Sequence, residues 1–235
     1  MSKKAILFDL DGTLLPMNQD KFIETYIKAL TGRLAKAGYE PELFVKALWS
    51  GIKDMMHNNG KAINERVFWD KFKTFYAHDA ENDEPIFEDF YKNDFQKLES
   101  LCGKSELVPK VISTLKDKGY RLILATNPVF PLIAVKSRLR WAGLDPCDFE
   151  HITTYENSSF SKPDPMYYEE ILQKTGLKPD ECIMIGNDTR DDMVASTLGI
   201  DVFLVTECLI NIKNLDISQY KNGNYEQLYK FVQEL

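Results

Sequence analysis

Long apolar runs are missing from this chain of 235 residues, and no stretch approaches the roughly 20 residues that a membrane-crossing helix needs. Cysteine is scarce: Cys102, Cys147, Cys182 and Cys208 are spread widely and form no CxxC pair, which leaves zinc and dithiol redox motifs without support. Cys182 and Cys208 sit in or beside apolar strand-like runs, where a small buried thiol is the simpler reading. Positive charge is in deficit, with 29 Lys and Arg against 36 Asp and Glu, for a formal charge of −7. That balance argues against a nucleic-acid polymer or an anionic membrane as partner, and at first sight against any anionic substrate. A secretion signal is not expected either. The basic start, Met1-Ser2-Lys3-Lys4, leads into an apolar run that ends at Asp9, too soon for a signal-peptide core. The expected compartment is the reducing cytoplasm.

What is present is enough apolar material for a core: 44% hydrophobic residues beside 28% charged ones. The length suits one large domain or a core with a substantial insert. Five short apolar runs read as buried strands, at residues 5–8, 121–125, 152–155, 182–185 and 202–205. Beyond residue 107 they alternate with segments of helical spacing at 108–118, 129–141, 165–175 and 191–198. Gly119, Gly143, Gly176 and Gly199 follow where a helix C-terminal glycine belongs. Helix, glycine, strand in repetition implies right-handed crossovers and a parallel sheet covered on both faces, an α/β Rossmann-like three-layer sandwich.

Residues 17–102 differ. They are rich in aromatics at helical spacing, in four stripes: Ile23–Leu30, Leu43–Met55 with Trp49, Ile52 and Met56 beside it, Phe68–Tyr76, and Phe87–Leu98. Breakers are expected at Gly32, at 38–41, at 58–60 and at 82–85. The chain therefore divides into a core of residues 1–16 and 103–235 and a helical insert of 17–102. Stripes of this kind ordinarily mean core packing rather than a substrate surface.

Ligands of open α/β sheets bind beyond the carboxyl ends of the strands. There the sequence places Asp9-Leu10-Asp11-Gly12-Thr13, Thr126-Asn127-Pro128, Ser161-Lys162-Pro163 and Gly186-Asn187-Asp188 with Asp191-Asp192. Asp9 and Asp11, two apart in extended chain, should project to the same side. Carboxylates that close repel unless a cation joins them, and with Asp188 they form an oxygen-only set suited to Mg²⁺. Gly12 permits the tight turn and close approach of an anion. Alone, Asp-x-Asp-Gly is a capped turn; directly after an apolar strand it reads as a site. Thr126 and Asn127 offer anion contacts or, alternatively, the cap of the next helix. Lys162, pinned by Pro163, is less free than a solvated surface lysine.

These motifs resemble those of the haloacid dehalogenase-like (HAD) superfamily, in the form with a helical cap inserted after the first motif. Asp9-Leu10-Asp11-Gly12-Thr13 is similar to motif one, Thr126 to motif two, Lys162 to motif three and the acidic Gly186–Asp192 segment to motif four. The resemblance implies a phosphatase in which Asp9 attacks phosphorus, Asp11 serves as acid and then base, and Thr126, Asn127, Gly12 and Lys162 hold the phosphoryl group. It also implies Mg²⁺ bridging Asp9, the Asp11 carbonyl and one residue of motif four. Here the sequence departs from the commonest pattern, since Asn187 stands directly after the glycine. Asp188 is the expected ligand, with Asn187 or Asp192 as alternatives; Asp192 is otherwise a partner of Lys162 or of a water. Asp191 is expected to be a helix-start charge.

The expected substrate is a small phosphorylated metabolite, which Asn18 and Gln19 at the entrance could touch, and the chain is expected to be a monomer or weak homodimer. A phosphomutase of sugar phosphates would use the same Asp9 and Asp11. A dehalogenase would lack the second acid, and a non-catalytic binding protein would not need the intact set.

Overall fold

The computed structural model of the chain describes residues 3–76 and 83–235; Met1 and Ser2 of the basic start and Asn82 of the last breaker lie outside the described residues. Six parallel strands, β1 (Ala5–Phe8), β2 (Arg121–Leu124), β3 (His151–Ile152), β4 (Cys182–Gly186), β5 (Asp201–Val205) and β6 (Lys221–Gly223), form one sheet in the order β3-β2-β1-β4-β5-β6. β1 is central, paired to β2 on one side and to β4 on the other. Its four side chains are fully buried and alternate between two cores, Ile6 and Phe8 on one face, Ala5 and Leu7 on the other. The chain runs outward from β1 in both directions, which makes its carboxyl end a switch point. This is the α/β sandwich with parallel sheet that the periodicity implies.

After β1, the described residues of the insert form four helices, α1 (Gln19–Lys36), α2 (Pro41–Met56), α3 (Asn64–Lys73) and α4 (Glu84–Lys92), and a 3-10 turn at Phe95–Leu101. Gly32 does not break α1, which runs on to Lys36; a single interior glycine costs only about 1 kcal/mol. The last aromatic stripe divides at Asn93-Asp94 into α4 and the 3-10 turn. In α2 the buried ring is Phe44, while Trp49 is 46% exposed. The buried rings meet edge to face, for instance Trp69 on Phe87 at 5.2 Å, and Phe95 stacks on Trp141 of the sandwich at 5.1 Å.

The sandwich helices are α5 (Leu107–Asp117), α6 (Leu132–Trp141), α7 (Pro165–Thr175) and α8 (Tyr225–Glu234). α6 starts later than its periodicity suggests because Pro128 and Pro131 hold residues 126–131 out of the helix; Pro131 is the cap residue, and neither Thr126 nor Asn127 caps it. Strand β3 is confined to His151–Ile152, because beyond it Thr153 turns to bond the Leu124 and Thr126 carbonyls. Among the described residues no helix is long and apolar enough to cross a membrane.

Insert and sandwich are joined by a buried polar group. Asn64 at the start of α3 is fully buried, and its Nδ2 donates to the Pro128 carbonyl at 3.1 Å and to Ser161 Oγ at 3.2 Å. Its backbone N–H donates to the Ser158 carbonyl at 2.8 Å, and that of Glu65 to the Tyr155 carbonyl at 2.8 Å. Asn64→Ala strands the Pro128 carbonyl and the Ser161 hydroxyl in a dry place and is expected to lower stability by roughly 1–3 kcal/mol, read as a lower urea midpoint at unchanged slope.

Candidate active site

The strand ends converge as their register dictates. Because β1 sits between β2 and β4 with Phe8 level with Leu124 and Ile185, the next residues, Asp9, Ala125-Thr126 and Gly186-Asn187, emerge side by side. Asp9, Asp11, Thr126, Asn127, Lys162, Asn187, Asp188, Asp191 and Asp192 all line one cavity of about 210 Å³, together with Gln19 of the insert.

Asp9 is 8% exposed. Lys162 Nζ donates to its Oδ1 at 2.9 Å and to Asp192 Oδ1 at 2.6 Å. Thr13 Oγ1 lies 3.1 Å from Asp9 Oδ2 and 3.0 Å from Asn187 Oδ1, donating to one at a time. Burial alone would depress the ammonium of Lys162, but Asp192 and Asp9 more than offset this and hold it well above the usual lysine range. Burial pushes the Asp192 carboxyl up to about 7, against the pull of the Lys162 ammonium. Asp192 Oδ2 also accepts from the Asp188 N–H at 2.9 Å. Two glycines make this packing possible. A Cβ at Gly186 would stand 2.2 Å from the Asp192 carboxyl, and one at Gly12, where φ is +89°, would stand 2.3 Å from Asn187 Nδ2.

Asp11 pairs with a residue not singled out from the sequence. Arg138 of α6, 1% exposed, bonds Asp11 Oδ2 through Nη1, and its guanidinium lies 4.3 Å over the Phe130 ring. Burial pushes the Asp11 carboxyl up, Arg138 pulls it down, and Asp9 pushes it up again; the net shift is upward. Asp11 Oδ1 and Asn127 Oδ1 are buried without a hydrogen-bond partner, and both belong to residues facing the cavity. Such atoms are costly unless a ligand or water meets them.

Some expectations shift. Asp191 does not start a helix, since the turn that follows begins at Met193; it is half-buried and lines the cavity. Asn18 caps α1 through a bond from the Lys21 N–H at 2.9 Å, whereas Gln19 Nε2 reaches the Asp11 carbonyl at 2.5 Å.

The donor set decides whether a divalent cation suits the site. Among the described residues no three His, Cys, Asp or Glu side chains are grouped to hold an ion. What the cavity does offer is hard oxygen: the carboxylates of Asp9 and Asp188 and the Asp11 carbonyl, a set that with water matches Mg²⁺. Asp188 Oδ1 already accepts from the Arg190 and Asp191 N–H groups, which orients the carboxylate. Asn187 fits less well, since its Oδ1 faces Thr13 and its Nδ2 donates to the Cys208 carbonyl at 2.6 Å.

Comparison with known proteins agrees with this geometry. The sequence model of the haloacid dehalogenase-like hydrolases matches residues 3–198. A pyrophosphatase PpaX of Bacillus velezensis is 26% identical over 195 residues, covering 83% of this chain and 79% of that protein. A phosphoglycolate phosphatase of Pasteurella multocida is 30% identical over 206 residues, covering 86% and 85%. In fold alone, the crystal structure of a 2-haloacid dehalogenase from Pseudomonas syringae superposes with a TM-score of 0.63 at 19% identity, over 99% of both chains. The chain is an enzyme and belongs to the haloacid dehalogenase-like hydrolases.

Proposed function

We propose that the chain is a Mg²⁺-dependent phosphatase that hydrolyses a small phosphate monoester through an aspartyl-phosphate on Asp9. The observation that carries this reading is the pair of aspartates in one cavity, Asp9 bonded by a buried lysine and Asp11 held by a buried arginine. Relatives named as phosphatases support a phosphoryl group as the reacting centre.

In this mechanism an Asp9 carboxylate oxygen forms a bond to phosphorus as the bond to the ester oxygen breaks. Asp11 gives its proton to the departing alcohol. A water then attacks the same phosphorus, loses its proton to Asp11 and releases Asp9 and phosphate. The role of acid needs a proton on Asp11 when the ester bond breaks; burial pushes its carboxyl up, and Arg138 pulls the other way. The Lys162 ammonium has three donors; two meet Asp9 and Asp192, and the third is left for a phosphoryl oxygen. Thr126 and Asn127, in the loop held open by Pro128 and Pro131, supply further donors. Asp9, Asp188 and the Asp11 carbonyl are the groups that would hold Mg²⁺, whose charge would offset the repulsion between a phosphate dianion and the aspartates. The bond from Gln19 uses one lone pair of the Asp11 carbonyl and leaves the other for the metal.

Residues 17–102 act as the cap over core residues 1–16 and 103–235. The antiparallel bridge Met17–Cys102 and the bond from the Gly103 N–H to the Pro16 carbonyl at 2.6 Å support that boundary. The net charge of −7 supports a small free ester, not a nucleic-acid polymer or membrane, and four unpaired cysteines support the reducing cytoplasm. We take the working unit to be a monomer or weak homodimer.

Phosphate release from a panel of phosphorylated sugars, nucleotides and small acids tests the reading. Release is expected with Mg²⁺, should vanish with excess EDTA, and should return when Mg²⁺ is restored. Release that EDTA leaves untouched would remove the metal from the mechanism. Interconversion of a sugar phosphate without release would identify a phosphomutase.

A further inference from the structure

Beside the Asp9 cavity lies a second one, of about 220 Å³, enclosed between the insert and the loop that follows β2. Ile23, Val129 and Phe130 line both, so the two adjoin. Most of the rest of its wall comes from all four insert helices, with Ile27, Ile52 and Trp69 among the contributors; Pro131 and Tyr155 of the sandwich complete it, and among the described residues no charged side chain lines it. Of its polar side-chain atoms, the hydroxyls of Tyr26 and Tyr91 bond to each other at 2.8 Å and the Tyr155 hydroxyl is bonded by Trp69. A water there would find few of the two to four partners it needs, so the space favours an apolar occupant. Trp49, largely exposed, also lines it, so the cavity reaches toward solvent.

We propose that this cavity takes the organic part of the substrate, and that the enzyme acts on phosphate monoesters of apolar alcohols rather than on phosphorylated carboxylic acids or diphosphate. The inference rests on the phosphatase reading above. Two spaces adjoin the Asp9 cavity: this apolar one, which shares Ile23, Val129 and Phe130 with it, and a larger polar one of about 780 Å³, which shares Gln19, Asp188 and Asp191. We assign the organic part of the substrate to the apolar one, because it lies between the insert and the loop that carries Thr126 and Asn127. Size sets the range, since an apolar cavity of about 150 Å³ holds benzene, and this one therefore takes a substituted single ring or a chain of about six carbons. Among the described residues no Lys, Arg or His side chain lines this cavity, so a carboxylate or second phosphate placed there would be buried without a counter-charge on its walls. The substrates named for the two relatives thus do not carry over to this chain.

The test is a series of methyl, ethyl, butyl and hexyl phosphate, whose leaving alcohols differ little in acidity, assayed with the whole protein and Mg²⁺. Burying each methylene is expected to raise kcat/KM about four-fold, roughly 250-fold from ethyl to hexyl. 2-Phosphoglycolate should fall below ethyl phosphate. A flat series, or 2-phosphoglycolate or diphosphate outrunning hexyl phosphate, overturns the assignment and leaves the phosphatase reading intact. No release from any ester overturns both. Ile27→Trp, which fills the cavity, should collapse the hexyl-to-methyl ratio, a quantity independent of how much enzyme is active. An unchanged ratio counts against the proposal, and if the variant does not fold, the series on the unaltered protein still decides.

Discussion

Asp9→Asn is expected to lower phosphate release by on the order of 10³-fold or more without unfolding the protein. An amide is a poor nucleophile, and no neighbour can replace Asp9: Asp192 is tied to Lys162 and to the Asp188 backbone, and Asp11 is turned to Arg138. The exchange is isosteric, so the bond from Lys162 to Oδ1 can persist. Removing one negative charge from a cavity that also holds Asp11, Asp188, Asp191 and Asp192 relieves repulsion. The urea midpoint should accordingly stay the same or rise, the ordinary trade between an active site and stability. Turnover that survives the substitution would remove Asp9 from the role of nucleophile.

Arg138→Met should cost stability on a scale few other single changes match. Breaking a buried ion pair by deleting one partner typically costs about 3–5 kcal/mol, because the remaining charge stays in a poor solvent. The Asp11 side chain is 21% exposed, which places the expected loss at the low end of that range. Methionine keeps most of the packing beneath Phe130, so the loss reports charge more than volume. A double-mutant cycle with Asp11→Asn is the measurement. If the pair is the cause, the double variant recovers part of the urea midpoint lost by the single one, a coupling of 0.5–3 kcal/mol by ordinary precedent. Additive losses would mean that Arg138 stabilises by packing alone.

Legibility in the sequence followed chain distance. Asp9, Asp11 and Gly12 were readable because they directly follow a strand whose four residues are all apolar. Arg138 was not, because it stands inside a helix, 127 residues from its partner. The trace it leaves is an arginine in an otherwise buried stripe of Val135, Leu139 and Ala142. β6 left none: Lys221-Asn222-Gly223 has no strand-forming residue and is extended because β5 offers an open edge to pair with. α8 could have been seen, since Asn224 and Gln227 form a capping box ahead of apolar residues at helical spacing. Proline decided the start of α6, where periodicity alone carried the helix through residues that Pro131 excludes.

Asn64 bears on how a substrate reaches Asp9. The chain crosses between insert and sandwich twice, near residues 16 and 103, and two crossings alone would let the insert swing like a door. Asn64 is a bolt on the far side, and it is seated in the very loops that present Asn127 and Lys162, through Pro128 and Ser161. Swinging the insert wide means drawing that bolt, and drawing it frees both loops. In the proposed mechanism, opening the insert to a substrate would loosen the loops that carry Asn127 and Lys162, so admission and the alignment of those residues would be mechanically linked.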